Sequence, residues 1–384
     1  MAASETLSRV QPVLADFGIT RLARHTGLDR IGIPVWCAYA PNARSIVVAQ
    51  GKGLNDDDAK VSAAMEALER AVANKPFVEA IRTSMRRLRE LGHKVEPLSS
   101  LIALHGRDID LGEEVEWAIA RELLTGTDIY VPLEAAILDR TRSRRFWMSS
   151  DGLASGNSIE EATLHGILER IERDAQVLWQ IGSDEDRMSK CVDPHAFRDP
   201  ALDGLVDRID AAGCLLRLFD ITSDIAIPCF TAILGPPNVL SGADVRFVEV
   251  TGGSGAHPSP VRAAIRAITE AVQSRLTYIS GARDDVSPET FLVPLPAQTR
   301  RAFDAVPTMS AMSTSLRPQT LPKLLSHTLN ALRQARIDTV AVLPLGDPSL
   351  PFSVAKVFIP ALENPDGQRA RRYGSRAISK AILS

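Results

Sequence analysis

Cysteine is scarce: four residues in 384, Cys37, Cys191, Cys214 and Cys229, never as a CxxC pair and never beside paired histidines. This spacing signals neither a zinc site nor a disulfide framework and leaves four buried thiols as the reading. Long apolar runs are also missing. No stretch approaches about 18 uninterrupted apolar residues, and the opening MAASETLSRVQPVLADFG lacks the apolar core of a signal peptide. The expectation is a cytoplasmic protein that does not enter a membrane. Nor is there an excess of one charge: 44 Lys and Arg against 47 Asp and Glu leave a formal charge of -3. No overall field draws the protein to nucleic acid, and an anionic ligand must be held locally. Both GxxxxGK[ST] and a strand-borne GxGxxG are absent, which excludes a P-loop and a Rossmann site.

What is present is an ordinary globular composition, 45% hydrophobic and 24% charged, which excludes a disordered, collagen-like or coiled-coil chain. The length allows one large domain or two intimately joined ones. No composition break marks a linker, so a single catalytic unit over residues 1–384 is expected. The stretch 293–322 is the nearest candidate for a surface excursion facing a partner.

Residues 21–50 read as loops and a short strand. Apolar spacing predicts a helix from Asp56 to Asn74, and VEAIRTSMRRLREL at 78–91 reads as a second helix closed by Gly92. From Glu114, two β-rich runs separated by TGTD signal a hairpin. The most periodic helix covers 158–181, capped by Asn157 or Ser158, with Glu160 and Glu161 in its first turn. LLRLFDI, IPCFTAIL and VRFVEV read as strands, 258–279 as a long helix, 320–335 as another, and DTVAVLPL and FSVAKVFIP as the last strands. The class is α+β with mixed or antiparallel sheets and long helices.

Three segments echo one another: 51–70, 156–175 and 255–275. Each is a glycine-bearing loop followed by a helix. Thirteen residues separate Gly53 from Glu66 and Gly156 from Glu169, and fifteen separate Gly255 from Glu270. Three positions on stand Glu69, Glu172 and Gln273, on the same helix face as the first glutamate. Apolar neighbours place these carboxylates at the edge of a core. At roughly 6 Å and an effective dielectric near 20, each close pair repels by about 3 kcal/mol, so a convergent cluster must take up protons or recruit cations. The bland alternative is three solvated faces paired with Arg70, Arg170, Arg173 and Arg275. Recurrence at matched spacing favours convergence. Mg²⁺ combines few carboxylates with phosphate oxygens, and adjacent arginines suit the phosphates, so the pattern points to a metal-bridged polyphosphate with a nucleotide its expected owner.

TGLDRIGIPVW (26–36), SAAMEALER (62–70), DGLASGNSIEEATLHGILERIERDA (151–175), HPSPVRAAIRAITEAVQSR (257–275) with GARDD (281–285), and PFSVAKVFIPALE (351–363) together resemble the YcaO family of ATP-dependent peptide-backbone-modifying enzymes. The likeness spans residues 15–375. The resemblance implies helices surrounding an ATP/Mg²⁺ cavity, with Mg²⁺ held by Glu66, Glu69, Glu169, Glu172 and Glu270. It also implies Gln273, Ser62, Arg70, Asn157 and Arg173 near the nucleotide, with Arg21, Arg24 and Thr26 further candidates to touch it. His257 is expected to cap rather than catalyse, and no catalytic residue is assigned. The implied reaction activates a peptide amide oxygen with the γ-phosphoryl group of ATP and lets an external nucleophile displace phosphate. A substrate side chain gives an azoline; sulfide gives a thioamide. Azoline-forming members end in a PxPxP tail and this chain ends SRAISKAILS. The expectation is therefore a stand-alone, thioamide-forming member working with a TfuA-type partner on a peptide or protein, with homodimerisation possible. An azoline-forming enzyme and a non-catalytic assembly subunit are the alternatives.

Overall fold

The computed structural model describes residues 1–142, 144–241, 244–307, 320–365 and 367–383. Helix α1 (Ala3–Val10) precedes a three-stranded antiparallel sheet of β1 (Arg21–Arg24), β2 (Val35–Tyr39) and β3 (Val48–Lys52), which leads into α2 (Asp56–Asn74). Next come β4 (Ala80–Ser84), α3 (Met85–Glu90), β5 (Lys94–Val95), β6 (Glu114–Glu122), β7 (Thr127–Pro132) and β8 (Leu153–Gly156), followed by α4 (Ile159–Ile181) and α5 (Asp184–Ser189). A four-stranded sheet follows, from β9 (Cys191–Val192), α6 (Pro200–Ala211), β10 (Leu215–Asp220), β11 (Cys229–Gly235) and β12 (Thr251–Ala256). Helices α7 (Pro260–Ser280), α8 (Ala297–Arg301) and α9 (Leu321–Gln334) lead to β13 (Ala341–Pro344) and β14 (Ser353–Phe358), and α10 (Ser375–Leu383) follows. The last two strands join the second sheet, whose order is β5-β7-β6-β13-β14-β8 with β4 also on β6. Only β5 and β7 pair in parallel among the described strands, so the class is α+β.

Three strands stand at sheet edges, β3, β8 and β12, and each runs directly into one of the three longest helices. Glycine makes this possible. A Cβ on Gly51 would lie 2.0 Å from the Ala63 nitrogen, one on Gly156 2.7 Å from the Ala162 nitrogen, and one on Gly253 2.2 Å from the Ala271 nitrogen. Each strand backbone therefore lies against its helix with no room for a side chain. The units also interlock in a ring: α2 touches β8, α4 touches β12, and α7 returns to touch β3. The helix faces turned toward the strands are lined with buried alanine, such as Ala59, Ala63 and Ala67 on α2 and Ala263, Ala264, Ala267 and Ala271 on α7, which permits the close approach.

Several expectations needed correction. Residues 78–91 are not one helix: β4 pairs antiparallel with β6, and Ser84 then caps the short α3 by accepting a hydrogen bond from the Arg87 nitrogen at 3.2 Å. The arginine run suggested a helix, but sheet pairing dominates over local propensity. VRFVEV is a 3₁₀ turn at Phe247–Glu249, and the strand is the adjacent TGGSGA, disguised by its glycines. The glycine segments are thus partly strand rather than loop. Residues 21–50 hold β1 and β2 and the start of β3. The helices over 56–74, 159–181, 260–280 and 321–334 and the 114–132 hairpin match the sequence reading. Of the stretch 293–322, residues 308–319 lie outside the described residues.

Candidate functional site

The ring brings the three acidic faces together. On α2 the stripe is Ser62, Glu66, Glu69 and Arg70; on α4 it is His165, Glu169, Glu172 and Arg173; on α7 it is Arg266, Glu270 and Gln273. Each set repeats at three- and four-residue steps, so helical geometry alone aligns it. Asn55 and Ser158 cap the first two helices, accepting hydrogen bonds from the nitrogens of Asp58 and Glu161. At the start of α7, His257 Nδ1 accepts from the Ser259 nitrogen at 2.8 Å, a structural role.

The carboxylates feel one another. Burial first, then Glu66 and Glu169, push the Glu69 carboxyl well above its usual range, although Ser155 Oγ donates to it at 3.3 Å. Burial pushes Glu169 up to about 7, against the pull of Arg173, with Asp151 and Glu172 adding to the rise. Glu172 is raised by burial and by Glu270. Glu270 goes down instead: burial would raise it, but Lys52 and Arg173 outweigh that. Glu169 and Glu270 still keep 24% and 23% of their side-chain exposure, so the cluster lines a cleft that water enters.

Cations occupy the cleft. Lys52 Nζ lies 2.5 Å from Glu270 Oε2, and Arg70 Nε 3.1 Å from Glu66 Oε1. Arg173 is central, 3.6 Å from Glu169, 3.6 Å from Glu172 and 3.4 Å from Asp151. Those four carboxylates, Glu270 included, hold its guanidinium charged against the effect of burial. Gly152 N donates to Glu169 Oε2 at 2.9 Å, and its loop is fixed by Lys356 Nζ, which donates to the Ser149 and Asp151 carbonyls at 2.6 and 2.9 Å. Burial lowers the Lys356 ammonium to about 8.

The predicted residues divide into groups. Glu66, Glu69, Glu169, Glu172, Glu270, Arg70 and Arg173 converge. Ser62 stands one turn before Glu66, half-buried. Gln273 donates to the Gln50 carbonyl at 3.3 Å, binding α7 to β3. Asn157 lies at the start of α4, donating to Glu161 at 3.1 Å and accepting from Thr6 of α1 at 3.0 Å. The Thr26 hydroxyl is closed on the Val35 backbone at 3.2 and 3.1 Å, away from the carboxylates. Arg21, on the exposed edge strand β1, acts on His25 and Tyr39. Arg24 pairs with Asp56 at 2.9 Å. Sequence reasoning passed over Lys52, Asp151, Arg266 and Lys356. Of these, Arg266 was visible in principle, one turn before Glu270 on the same face.

Among the described residues no three Asp, Glu, His or Cys side chains form a ready-made metal cage. The donor set nevertheless fits Mg²⁺ with a phosphate ligand, because Mg²⁺ takes one or two carboxylates and completes its shell with phosphate and water. The Arg266 Nε–H is buried with no acceptor among the described residues, a donor suited to such an anion. A cavity of about 440 Å³ adjoins α2 at Arg70 and Asn74, and one of about 580 Å³ adjoins the far halves of α4 and α7.

The family model described as YcaO cyclodehydratase, ATP- and Mg²⁺-binding, matches residues 50–363. A protein of Rhizobium leguminosarum bv. trifolii, described as an uncharacterized protein in the tfuA 3′ region, is 37% identical over 98% of this chain and 91% of its own length. Among solved structures, YcaO from Methanopyrus kandleri bound with AMPPCP and Mg²⁺ has a TM-score of 0.71 at 21% identity, covering 94% of this chain and 92% of that one. A heterocyclase in complex with substrate and cofactor has a TM-score of 0.74 at 21% identity and 95% coverage. The chain spans about half (52%) of that heterocyclase's length. At these identities the two structures establish the fold.

Proposed function

This chain belongs to the YcaO family, and from that premise we propose that it activates a peptide backbone amide by O-phosphorylation and exchanges the oxygen for sulfur. ATP and Mg²⁺ are the family's cofactors. When bound, Mg²⁺ supplies charge neutralisation across the phosphates and ATP the γ-phosphoryl group that makes the amide oxygen a leaving group. Glu66, Glu69, Glu169, Glu172 and Glu270 are the proposed metal-bearing carboxylates. Arg70, Arg173 and Arg266 bind the phosphates, with Lys52 exchanging Glu270 for an anionic oxygen. Ser62, Asn157 and Gln273 orient the nucleotide from the rims of the helices, while Arg21 and Thr26, engaged elsewhere, are left out of the set. Phosphoryl transfer needs alignment and charge neutralisation rather than covalent help from the protein. The observation that carries the reading is the convergence of five glutamates from three helices on shared guanidinium and ammonium groups.

The tfuA-region relative supports a TfuA-like partner for sulfide delivery and a thioamide product. The heterocyclase fold supports the second reading, an azoline formed by a substrate side chain. Mass spectrometry of a candidate peptide after incubation with the chain, partner, ATP, Mg²⁺ and sulfide decides: replacement of oxygen by sulfur supports the first, loss of water the second. Substrate-dependent phosphate release that persists undiminished in Glu169→Gln would overturn the site assignment.

A further inference from the structure

The 580 Å³ cavity has no part in holding the nucleotide as assigned above, yet it continues the acidic faces without a break. It lies between the C-terminal half of α4 and the α4-facing side of the four-stranded sheet, and α7 closes it. Gln176 follows Glu172 by four residues and Ser274 follows Glu270 by four, so each sits one turn further along the same face. At 1.5 Å per residue the cavity begins about 6 Å from the carboxylates. A residue of extended peptide spans about 3.5 Å. A peptide whose amide lies at the carboxylates therefore puts its next few residues into this cavity, whose volume falls in the usual range of roughly 300–1,000 Å³ for binding sites.

The walls specify more. In a chain only 5% aromatic, Trp179, Phe219, Phe247, Tyr278 and Tyr373 all line this one space. Two guanidinium groups, Arg187 and Arg301, share the single carboxylate of Asp184 there, leaving a cationic excess. Two buried donors on the lining have no acceptor among the described residues, the Trp179 indole N–H and the Arg187 Nε–H. Unpaired buried donors destabilise unless a ligand satisfies them. Backbone carbonyls and a carboxylate supply such acceptors. Thr251 and Gly252 belong to β12, an edge strand, which lends the cavity one extended wall.

We infer that this cavity is the seat of the substrate residues flanking the modified amide, and that it selects a short extended segment carrying an aromatic and an acidic side chain. The inference rests on the reading of the acidic cleft as the reaction site. Its test uses the full chain and fluorescein-labelled, N-acetylated pentapeptides in which one aromatic and one acidic residue occupy every order of positions, with lysine in place of the acid as control. Anisotropy should show the acidic peptides binding at least about tenfold more tightly than the lysine set. Gly252→Phe fills the cavity, since a Cβ there meets nothing closer than 3.7 Å. It should weaken peptide binding by about tenfold or more while Mg²⁺-dependent ATP uptake, read by calorimetry, stays as in the parent chain. Arg301→Glu, at a side chain 50% exposed, should reverse the charge preference. Equal affinity for acidic and lysine peptides, no binding of any peptide up to ~1 mM, or full affinity in Gly252→Phe overturns the assignment. Loss of ATP uptake in the parent chain would instead strike the proposed function, leaving the peptide arm to judge the cavity.

Discussion

Lys52 Nζ sits 2.5 Å from Glu270 Oε2, although 218 residues separate them in the chain. Their side chains are 20% and 23% exposed, so the pair is mostly shielded and fastens the strand of the first unit to the helix of the third. Without Lys52, Glu270 faces Glu172 with its nearest cation gone. Lys52→Ala should cost roughly 1–3 kcal/mol in urea unfolding. Adding Glu270→Gln should return part of that loss, with a coupling of about 0.5–3 kcal/mol in the double-mutant cycle. Strict additivity would mean the contact contributes nothing.

Glu169 gives the protein a pH signature. Its folded value of about 7 stands above the ordinary 4.5. Between those limits the unfolded chain releases the proton first and the folded chain holds more protons. Stability of the ligand-free protein should therefore fall as pH rises through this window, by up to about 3 kcal/mol from this group, and level off above it. Glu169→Gln should flatten the slope. Because cation ligation needs the ionised carboxylate, uptake of Mg²⁺ with ATP should strengthen between about pH 6 and 8 and release protons, so that the calorimetric heat changes with the buffer. Heat independent of buffer ionisation speaks against it.

Two adjacent glycines provide a matched comparison. A Cβ on Gly253 would meet the Ala271 nitrogen at 2.2 Å and the Ala267 carbonyl at 2.5 Å, whereas one on Gly252 meets only the Ala232 carbonyl at 3.7 Å. Gly253→Ala should destabilise by about 1–3 kcal/mol or more and displace Glu270 enough to weaken nucleotide uptake. Gly252→Ala should stay within about 0.5 kcal/mol of the parent. Thermal unfolding of the pair side by side is the measurement, and equal losses would contradict the close strand-helix approach.

Lys356 is 3% exposed and its ammonium is lowered to about 8 from 10.5 by burial. A base depressed in this way binds fewer protons folded than unfolded between those values, so stability should rise as pH increases from 8 toward 10.5, by about 3 kcal/mol from this group. Lys356→Met should abolish that rise. It should also loosen the loop that presents Gly152 N–H to Glu169 and raise the KM for ATP. A variant with the parent's alkaline profile would refute the account.

Much of this was legible in the sequence because helical period and caps are local properties. The bounds of α2 and α4 followed from Ala63, Ala64, Ala67 and Leu68 and from Ser158, and the glutamate spacing foretold which side chains share a face. The edge strands were hidden for a physical reason: Gly51, Gly253 and Gly255 look like loop residues, and only the helix lying against them explains their use. Lys52 was equally opaque, since its partner is set by the ring and not by any neighbour in sequence. Arg21 and Thr26 show the converse, where position near a motif did not place a side chain against the carboxylates.

The interlocked ring also sets a timetable for synthesis. Glu270 leaves the ribosome 218 residues after Lys52, an interval of roughly ten to forty seconds at ordinary elongation rates. Until then the nascent β3 edge is uncovered by α7 and Lys52 lacks its carboxylate partner. The cleft is therefore assembled late in synthesis, and Lys356, which holds the loop that presents Gly152 to Glu169, follows Glu270 by a further 86 residues (356 − 270).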